Sequence, residues 1–596
     1  MFKDRAANSN HTHLWLSALA IAAMAALAFG AAVQPRGALF FWPGVIVVTA
    51  LLLYQIIWLP TGPVWRVITL AQVLLWVLVQ RLIVMPPGVL ARVADVYQEY
   101  AVTIKIGDEG WRPILRGSAP TDTFPSTDFP SLHLFGSIAS RVTSMDLDFV
   151  VTWVPFFWTL PAILLVYVLA RKISSSDRAA ILTALLFGSL ANFVDFHGQY
   201  VKEAIAFSAF VGVIYAYFMR LETGDVRFVI LAVVFTFAVV ASHHFTSLIL
   251  IVFLLLSAPV FGLRWSAFRS LSLRWRAIGL ARIPSLESSS ALVTSFALLV
   301  TMLAVGYWAS LQFSPIGYIG TEFSSLEVSR EAVANLEDLA VPPETAAEGS
   351  ASSSRLRMLT LGDTILGFFV GLLTLWAVWR AIRDGHGRLR WVIAFAVMGA
   401  LFGVLTLLFT QFLPSTGPGT VWGGRFVLFG YFALIVAVTY LVRDAGQGFL
   451  TRGAITALAA TFVVWNLVHM PPSYYQATDS PEVIDGGRFY LLAPEERSLE
   501  FLRGTGTVLV GINPTAPKSI WSVEGQSGLT PVKGPLQDIA QLAVVDYLVV
   551  SDRDDPPLDE PTWDAVKNSA RLAKVYQNSR TEIYTVIEAN TEPTQR

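Results

Sequence analysis

No cysteine occurs in the 596 residues, which excludes disulfides and thiolate metal sites. Charge is scarce too. Only 14% of residues are charged, where a soluble domain carries about 25%. The net charge is -1 and there is no basic tail, so nothing marks a nucleic-acid partner. No Gly-x-x-x-x-Gly-Lys-Ser/Thr phosphate loop and no dinucleotide fingerprint is present, which excludes those nucleotide sites. No internal repeat is visible, and this weighs against a transporter built from inverted halves.

What the chain has is apolar sequence. It is 54% hydrophobic, with mean hydropathy +0.57. Runs long enough to span a bilayer lie near 14–33, 38–60, 65–84, 149–170, 179–195, 203–220, 227–243, 245–263, 290–311, 358–379, 391–413, 425–442 and 453–470. The expected fold is therefore an all-α polytopic membrane protein with about 13 transmembrane helices. The runs are continuous rather than alternating, which argues against a barrel. The first run follows Lys3 and Arg5 but lacks a small-residue cleavage site, so it reads as a retained helix.

Arginine and lysine set the expected orientation. Arg171, Lys172 and Arg178 share one turn; Arg220 and Arg227 share another. Arg264, Arg269, Arg274, Arg276 and Arg282 fill one loop, and Arg380, Arg383, Arg388 and Arg390 fill a further one. All fall on one side if the N-terminus is cytoplasmic. The opposite short loops hold Arg36, Lys202 and little else. The expected location is the cytoplasmic membrane, multi-pass. Loops 85–148 and 312–357 and the Pro414–Gly424 loop would then lie outside, with everything after Met470.

Residues 1–470 thus form a transmembrane domain and 471–596 a separate extracytoplasmic α/β domain. In the latter, Thr507–Gly511 and Val544–Val550 read as buried strands, and Lys574–Val586 as a hairpin around Asn578-Ser579. Pro494–Leu502 fits a short helix. Glu344–Ser354 is rich in Ala, Ser and Gly and is expected to be mobile. Residues 130–144 are too short and polar to span, and read as an amphipathic helix lying in the interface.

The long loop 85–148 is the stretch around which the site is expected, because loops of this length more often work than tether. Asp95 and Glu99 are four residues apart, so a helix there puts both on one face. His133, His197, His243, His244 and His469 all map to the outer ends of spans, with Asp195, Lys202 and Glu203. Singly, each is explained by the cost of a charge at mid-bilayer, roughly 2.5–3.5 kcal/mol. Their concentration on one face beside an acidic loop is not, and it points to a polar cavity opening outward. Lys202-Glu203 opens a span, His243-His244 separates two spans with almost no linker, and Arg425 opens a span after a Gly/Pro-rich loop. Snorkelling is the plain alternative for Lys202, Glu203 and Arg425. Asp552–Asp555 reads as a solvated turn.

In order, these features resemble the GT-C superfamily, membrane glycosyltransferases that use polyprenyl-phosphate-linked sugars. The resemblance is carried by Asp95 with Gly110-Trp111, then Phe129-Pro-Ser-Leu-His-Leu134, then the Leu/Ala-rich span ending in a basic turn at Leu164–Arg178. Gln199-Tyr-Val-Lys-Glu203 and His243-His244 follow. It covers roughly 65–264, with a weaker likeness in the C-terminal Val-Asp-Tyr-Leu-Val-Val. Departures are the two spans ahead of the core helix, Val96 where many relatives have a second acid, and the lack of a Trp-Trp-Asp motif.

The resemblance implies transfer of a sugar from a polyprenyl-phosphate donor to a lipid-linked glycan or protein acceptor outside the bilayer, by an inverting route. Asp95 and Glu203 would be the catalytic acids, and Lys202, His243, His244 and Arg425 the donor-phosphate groups. Glu99, His133, His197 and Gln199 would line the acceptor and sugar pocket. The one candidate cofactor is a divalent cation, Mg or Mn, on Asp95 and Glu203. The alternatives are a lipid or oligosaccharide flippase or transporter, and a polysaccharide polymerase or ligase.

Overall fold

The computed structural model describes residues 2–33, 38–59, 62–84, 94–111, 129–262, 287–310, 350–384, 388–412, 418–443 and 448–468, and four strands between 509 and 586. Through residue 468 the described elements are helical, and they make an all-α polytopic membrane protein. The chain begins with α1 (Phe2–Val33), α2 (Ala38–Ile57) and α3 (Pro63–Val84), followed by α4 (Ala94–Glu109) and α5 (Ser131–Thr143). Next come α6 (Leu147–Ser174), α7 (Asp177–Gly188), the short α8 (Ala191–Asp195), a 3-10 turn at Phe196–Gly198, and α9 (Lys202–Thr223). The rest are α10 (Arg227–Ser242), α11 (His244–Gly262), α12 (Glu287–Ser310), α13 (Ser350–Asp384), α14 (Leu389–Phe412), α15 (Pro418–Val442) and α16 (Phe449–Val468).

Nine helices among the described residues are long and apolar enough to cross a membrane, and three shorter apolar helices lie at Trp42–Ile57, Arg227–Ser242 and Ser295–Ala309. The expected span at 179–195 departs from this pattern. It is the 12-residue α7, ended at Gly188 and followed by the separate α8. At 1.5 Å per residue it reaches only about 18 Å. It can stop short because it is buried in protein rather than lipid, so its freed backbone groups find protein partners. Ser189 N–H, for example, donates to the Leu185 carbonyl, and Ala191 N–H to the Asn466 side chain of α16. The start of α7 is set locally. Ser176 caps it by accepting the Ala179 N–H, and Asp177 sits in the first turn, where the helix dipole favours an acid. Its rings and those of its neighbours form the centre of the core: Phe187, Phe193, Phe207, Phe210 and Phe432 are in mutual ring contact.

A second correction concerns the loop expected at 312–357. α13 already starts at Ser350, so Ser350–Ser354 are helical rather than mobile. Residues 311–349 lie outside the described residues. α5 falls where the interfacial helix was expected. It buries Leu132, His133 and Gly136 on one side and exposes Phe135, Ile138 and Val142 on the other. An exposed apolar stripe of that spacing suits a helix lying on hydrocarbon.

In the C-terminal part the strands fall where alternation places them. β1 (Leu509–Gly511), β2 (Tyr547–Ser551), β3 (Leu572–Gln577) and β4 (Thr581–Val586) form one sheet in the order β1-β2-β4-β3. β1 and β2 are parallel; β3 and β4 make the expected antiparallel hairpin, with a bulge between Lys574 and Tyr576. The helix expected at Pro494–Leu502 and the turn at Asp552–Asp555 lie outside the described residues.

Candidate functional site at one end of the bundle

Helix direction decides which polar residues meet. α9 starts at Lys202, α10 ends beside His243, α11 starts at His244, and Arg425 lies in the early part of α15. All four points fall at one end of the bundle. At the other end sit the arginine-bearing turns. The first end is the acid–base rim, the second the arginine rim.

Two carboxylates organise the acid–base rim. Glu99 of α4 is buried. Lys202 Nζ lies 3.1 Å from its Oε1, and His133 Nε2 lies 3.0 Å from its Oε2, in ion-pair range though off the direction of a good hydrogen bond. Burial by itself would raise the Glu99 carboxyl; Lys202 and His133 outweigh it and hold the group below the usual carboxylate range. Lys202, the first residue of α9, gains nothing from the dipole there, and Glu99 supplies the compensating charge.

Glu203 is the second carboxylate. It stands in the first turn of α9, where an acid is favoured. Its Oε1 receives His243 Nε2 at 3.1 Å and Arg425 Nη2 at 3.0 Å. The His243 tautomer follows from its other nitrogen. Nδ1 accepts the Thr246 N–H at 3.4 Å, as an N-cap side chain does for the third residue of a helix. With Nδ1 accepting, the neutral ring carries its proton on Nε2, facing Glu203. His243 thus serves twice, as the cap of α11 and as a donor to the site. His244 lies beside it, ring centroids 4.9 Å apart, and against Phe129 at 5.4 Å.

Sequence adjacency of Lys202 and Glu203 fuses the two halves. His133, Glu99 and Lys202 form one arm; Glu203, His243 and Arg425 form the other. The residues expected to hold a donor phosphate and two expected for the acceptor pocket therefore belong to one cluster. His197 lies on its inner flank, between the rings of Phe193 and Phe207, close enough to feel the charges of Glu203 and Arg81. Gln199 is buried in the same turn. Asp95 is the second residue of α4, one turn before Glu99, and its side chain is outside the described residues. His469 is outside them too. Among the described residues no group of three His, Asp or Glu side chains is arranged to hold a metal. Glu203, expected as a cation ligand, has its carboxylate engaged by Arg425 and His243, so this position does not suit a metal.

Several participants escaped the sequence reading. Arg81, in the last turn of α3, is fully buried, donates to the Phe193 carbonyl at 3.3 Å and lies over that ring. A lone arginine on the arginine-poor side was its available signal. Thr103 Oγ1 is 3.1 Å from His133 Nδ1 and 3.0 Å from Tyr200 OH. The Tyr200 hydroxyl also donates to the Leu132 carbonyl at 3.0 Å. Tyr200 reaches this place only because residue 136 is glycine; a Cβ there would collide with its hydroxyl. Nothing in the local pattern of α5 announces that requirement.

No family model matches the chain, and no curated protein does. Among solved structures it is similar to ArnT from Cupriavidus metallidurans bound to undecaprenyl phosphate, at 14% identity and a TM-score of 0.33, covering 89% of this chain and 99% of that one. The apo form of the same protein aligns at 12% identity and a TM-score of 0.32, covering 88% and 98%. These likenesses assign no family.

Proposed function

We propose that the chain is a membrane glycosyltransferase that moves one sugar from a polyprenyl-phosphate donor to a hydroxyl of a lipid-linked or protein-linked acceptor at the acid–base rim. The observation that carries this is the fused cluster Glu99–Lys202 and Glu203–Arg425, buried at one end of an otherwise apolar bundle. Buried charge is costly and is placed where it works on a ligand. Lys202, Arg425 and Arg81 are three cations against the two carboxylates, leaving an excess positive charge for one phosphodiester. Arg425 and Lys202 are the more accessible of the three, with side chains 25% and 13% exposed, so they are the groups to meet the lipid phosphate.

In this reading the acceptor oxygen attacks the anomeric carbon as the bond from that carbon to the phosphate oxygen breaks. The electron pair leaves with the polyprenyl phosphate, whose growing charge faces Arg425 and Lys202. The hydroxyl proton goes to a carboxylate. Glu99 and Glu203 suit this poorly, because cations hold both in the ionised form and weaken them as bases. Asp95 is the proposed base, since α4 carries it on the face of Glu99. Attack opposite the leaving group inverts the sugar. Glu203 sets the positions of Arg425 and His243. Fixed cations rather than a metal face the phosphate, and abolition of transfer by EDTA would overturn that part. A flippase would need charged groups through the depth of the bundle; the ion pairs among the described residues lie at the two rims.

The test is transfer by purified protein from a panel of polyprenyl-phosphate sugars. Asp95→Asn is expected to lower turnover about 10²–10⁴-fold, and Arg425→Ala to raise the donor concentration required. A folded Asp95→Asn protein with full turnover removes Asp95 as the base. Transbilayer movement of intact donor without bond cleavage would favour the flippase.

A further inference from the structure

The arginine rim holds a second cationic site that the proposed reaction does not use. Arg178, in the first turn of α7, donates from Nη2 to the Leu59 carbonyl at 2.9 Å. Its Nε is buried and makes no hydrogen bond. Among the described residues no carboxylate pairs with it, although the preceding residue, Asp177, pairs with both Arg66 and Arg171. The charge that acts on Arg178 is another guanidinium, that of Arg452. Arg452 comes from α16 and lies over the Trp58 ring, 5.9 Å from its centroid. Trp58 is held in turn, donating from Nε1 to Thr456 Oγ1 at 3.1 Å and meeting Phe449 edge-on at 5.2 Å.

Two half-buried like charges thus converge on Trp58-Leu59, where α2, α7 and α16 end at one level. Their repulsion is unfavourable unless an anion sits between them. The neighbourhood says which anion. Phe449 and Leu450, at the start of α16, are 78% and 84% exposed, and Trp58 is an aromatic at the end of an apolar helix, the usual marker of the headgroup level. An anion here has hydrocarbon beside it.

We infer that Arg178 and Arg452 bind the phosphate of an anionic phospholipid, with Trp58 against its glycerol region and its acyl chains along Phe449 and Leu450. The phosphate accepts hydrogen bonds from both guanidinium groups and relieves their repulsion. A basic pocket between helices at the membrane surface is the known setting for such lipids. This site is independent of the glycosyltransferase reading, which concerns the other rim.

The experiment uses the full chain in detergent and measures retained lipid by native mass spectrometry. The probes are dioleoyl phosphatidylglycerol, dioleoyl phosphatidylcholine and inorganic phosphate. Wild-type protein is expected to retain phosphatidylglycerol in clear preference to phosphatidylcholine. Arg178→Gln and Arg452→Gln are each expected to reduce that preference about fivefold, with Arg178→Lys restoring part of it. Equal retention of the two lipids by wild-type protein overturns the proposal without any variant. Displacement of phosphatidylglycerol by millimolar inorganic phosphate overturns it too, in favour of a free-anion site. If Arg178→Gln does not fold, Arg452→Gln decides, and an unchanged preference in that variant overturns the proposal.

Discussion

Glu203 and Asp177 look alike on paper. Each is an acid in the first turn of a helix, and each receives two cationic or basic partners. Their surroundings differ. Asp177 pairs with Arg66 and with Arg171, whose side chain is 54% exposed, and accepts a hydrogen bond from Tyr167. No histidine takes part. Glu203 pairs with a buried His243, and its neighbour Lys202 ties it to the buried Glu99 and His133. A water-accessible pair costs little to form and stabilises little. A buried network of acids, histidines and cations costs desolvation at every member, so its presence calls for a task. The contrast separates anchoring charge from working charge better than a count of charges at either rim.

The sharpest way to break the contrast is to neutralise each acid. Glu203→Gln leaves Arg425 and His243 without their carboxylate, and sugar transfer is expected to fall about 10²–10³-fold, as when one preorganised electrostatic group is lost. Transfer at the wild-type rate by a folded Glu203→Gln protein would make the two rims equivalent anchors. A smaller effect is expected from Gly136→Ala, which pushes the Tyr200 hydroxyl away from Thr103 and Leu132. Overpacking of this kind costs about 1–3 kcal/mol. Tyr200→Phe in the same chain should recover much of it, read from the thermal midpoints of the single and double variants. No recovery would mean that the hydroxyl is not what the glycine accommodates.

Acid sensitivity should also track the acid–base rim. Burial lowers His197 from 6.5 to about 4. The unfolded chain takes up a proton below 6.5 while the folded chain does not, so the contribution of His197 is complete above 6.5 and is lost as pH falls towards about 4. The loss is at most about 1.4 kcal/mol for each pH unit. His197→Phe, which suits the rings of Phe193 and Phe207, is expected to flatten stability over that window. An unchanged slope assigns the acid loss elsewhere. The smallest effect is expected at the arginine rim: Asp177→Asn should cost about 1 kcal/mol for each pair lost and leave transfer at saturating donor intact. A large fall in transfer would show that this rim is coupled to the reaction.

Much of the membrane architecture was legible because a run of apolar residues is a local property. The limit of that logic is α7. Apolar content alone reads 179–195 as a span, yet burial in protein removes the need for bilayer length. The candidate site was legible as a collection, since Lys202, Glu203, His243, His244 and Arg425 all sit at span ends on one side. Their pairing was not. The expectation of Glu203 as a metal ligand is met instead by a carboxylate already holding Arg425 and His243.

The sequence by itself determined which residues cannot face hydrocarbon and at which end of a helix each one lies, because hydropathy and helix period act over a few residues. It likewise determined the strands of the C-terminal sheet through their alternation. Only the tertiary structure decided that Glu99 meets Lys202, that Glu203 meets Arg425, that Arg81 is buried beside His197, and that Gly136 makes room for Tyr200. Those contacts join helices distant in the chain, and helix packing, set by the shapes of facing side chains, chooses the partners.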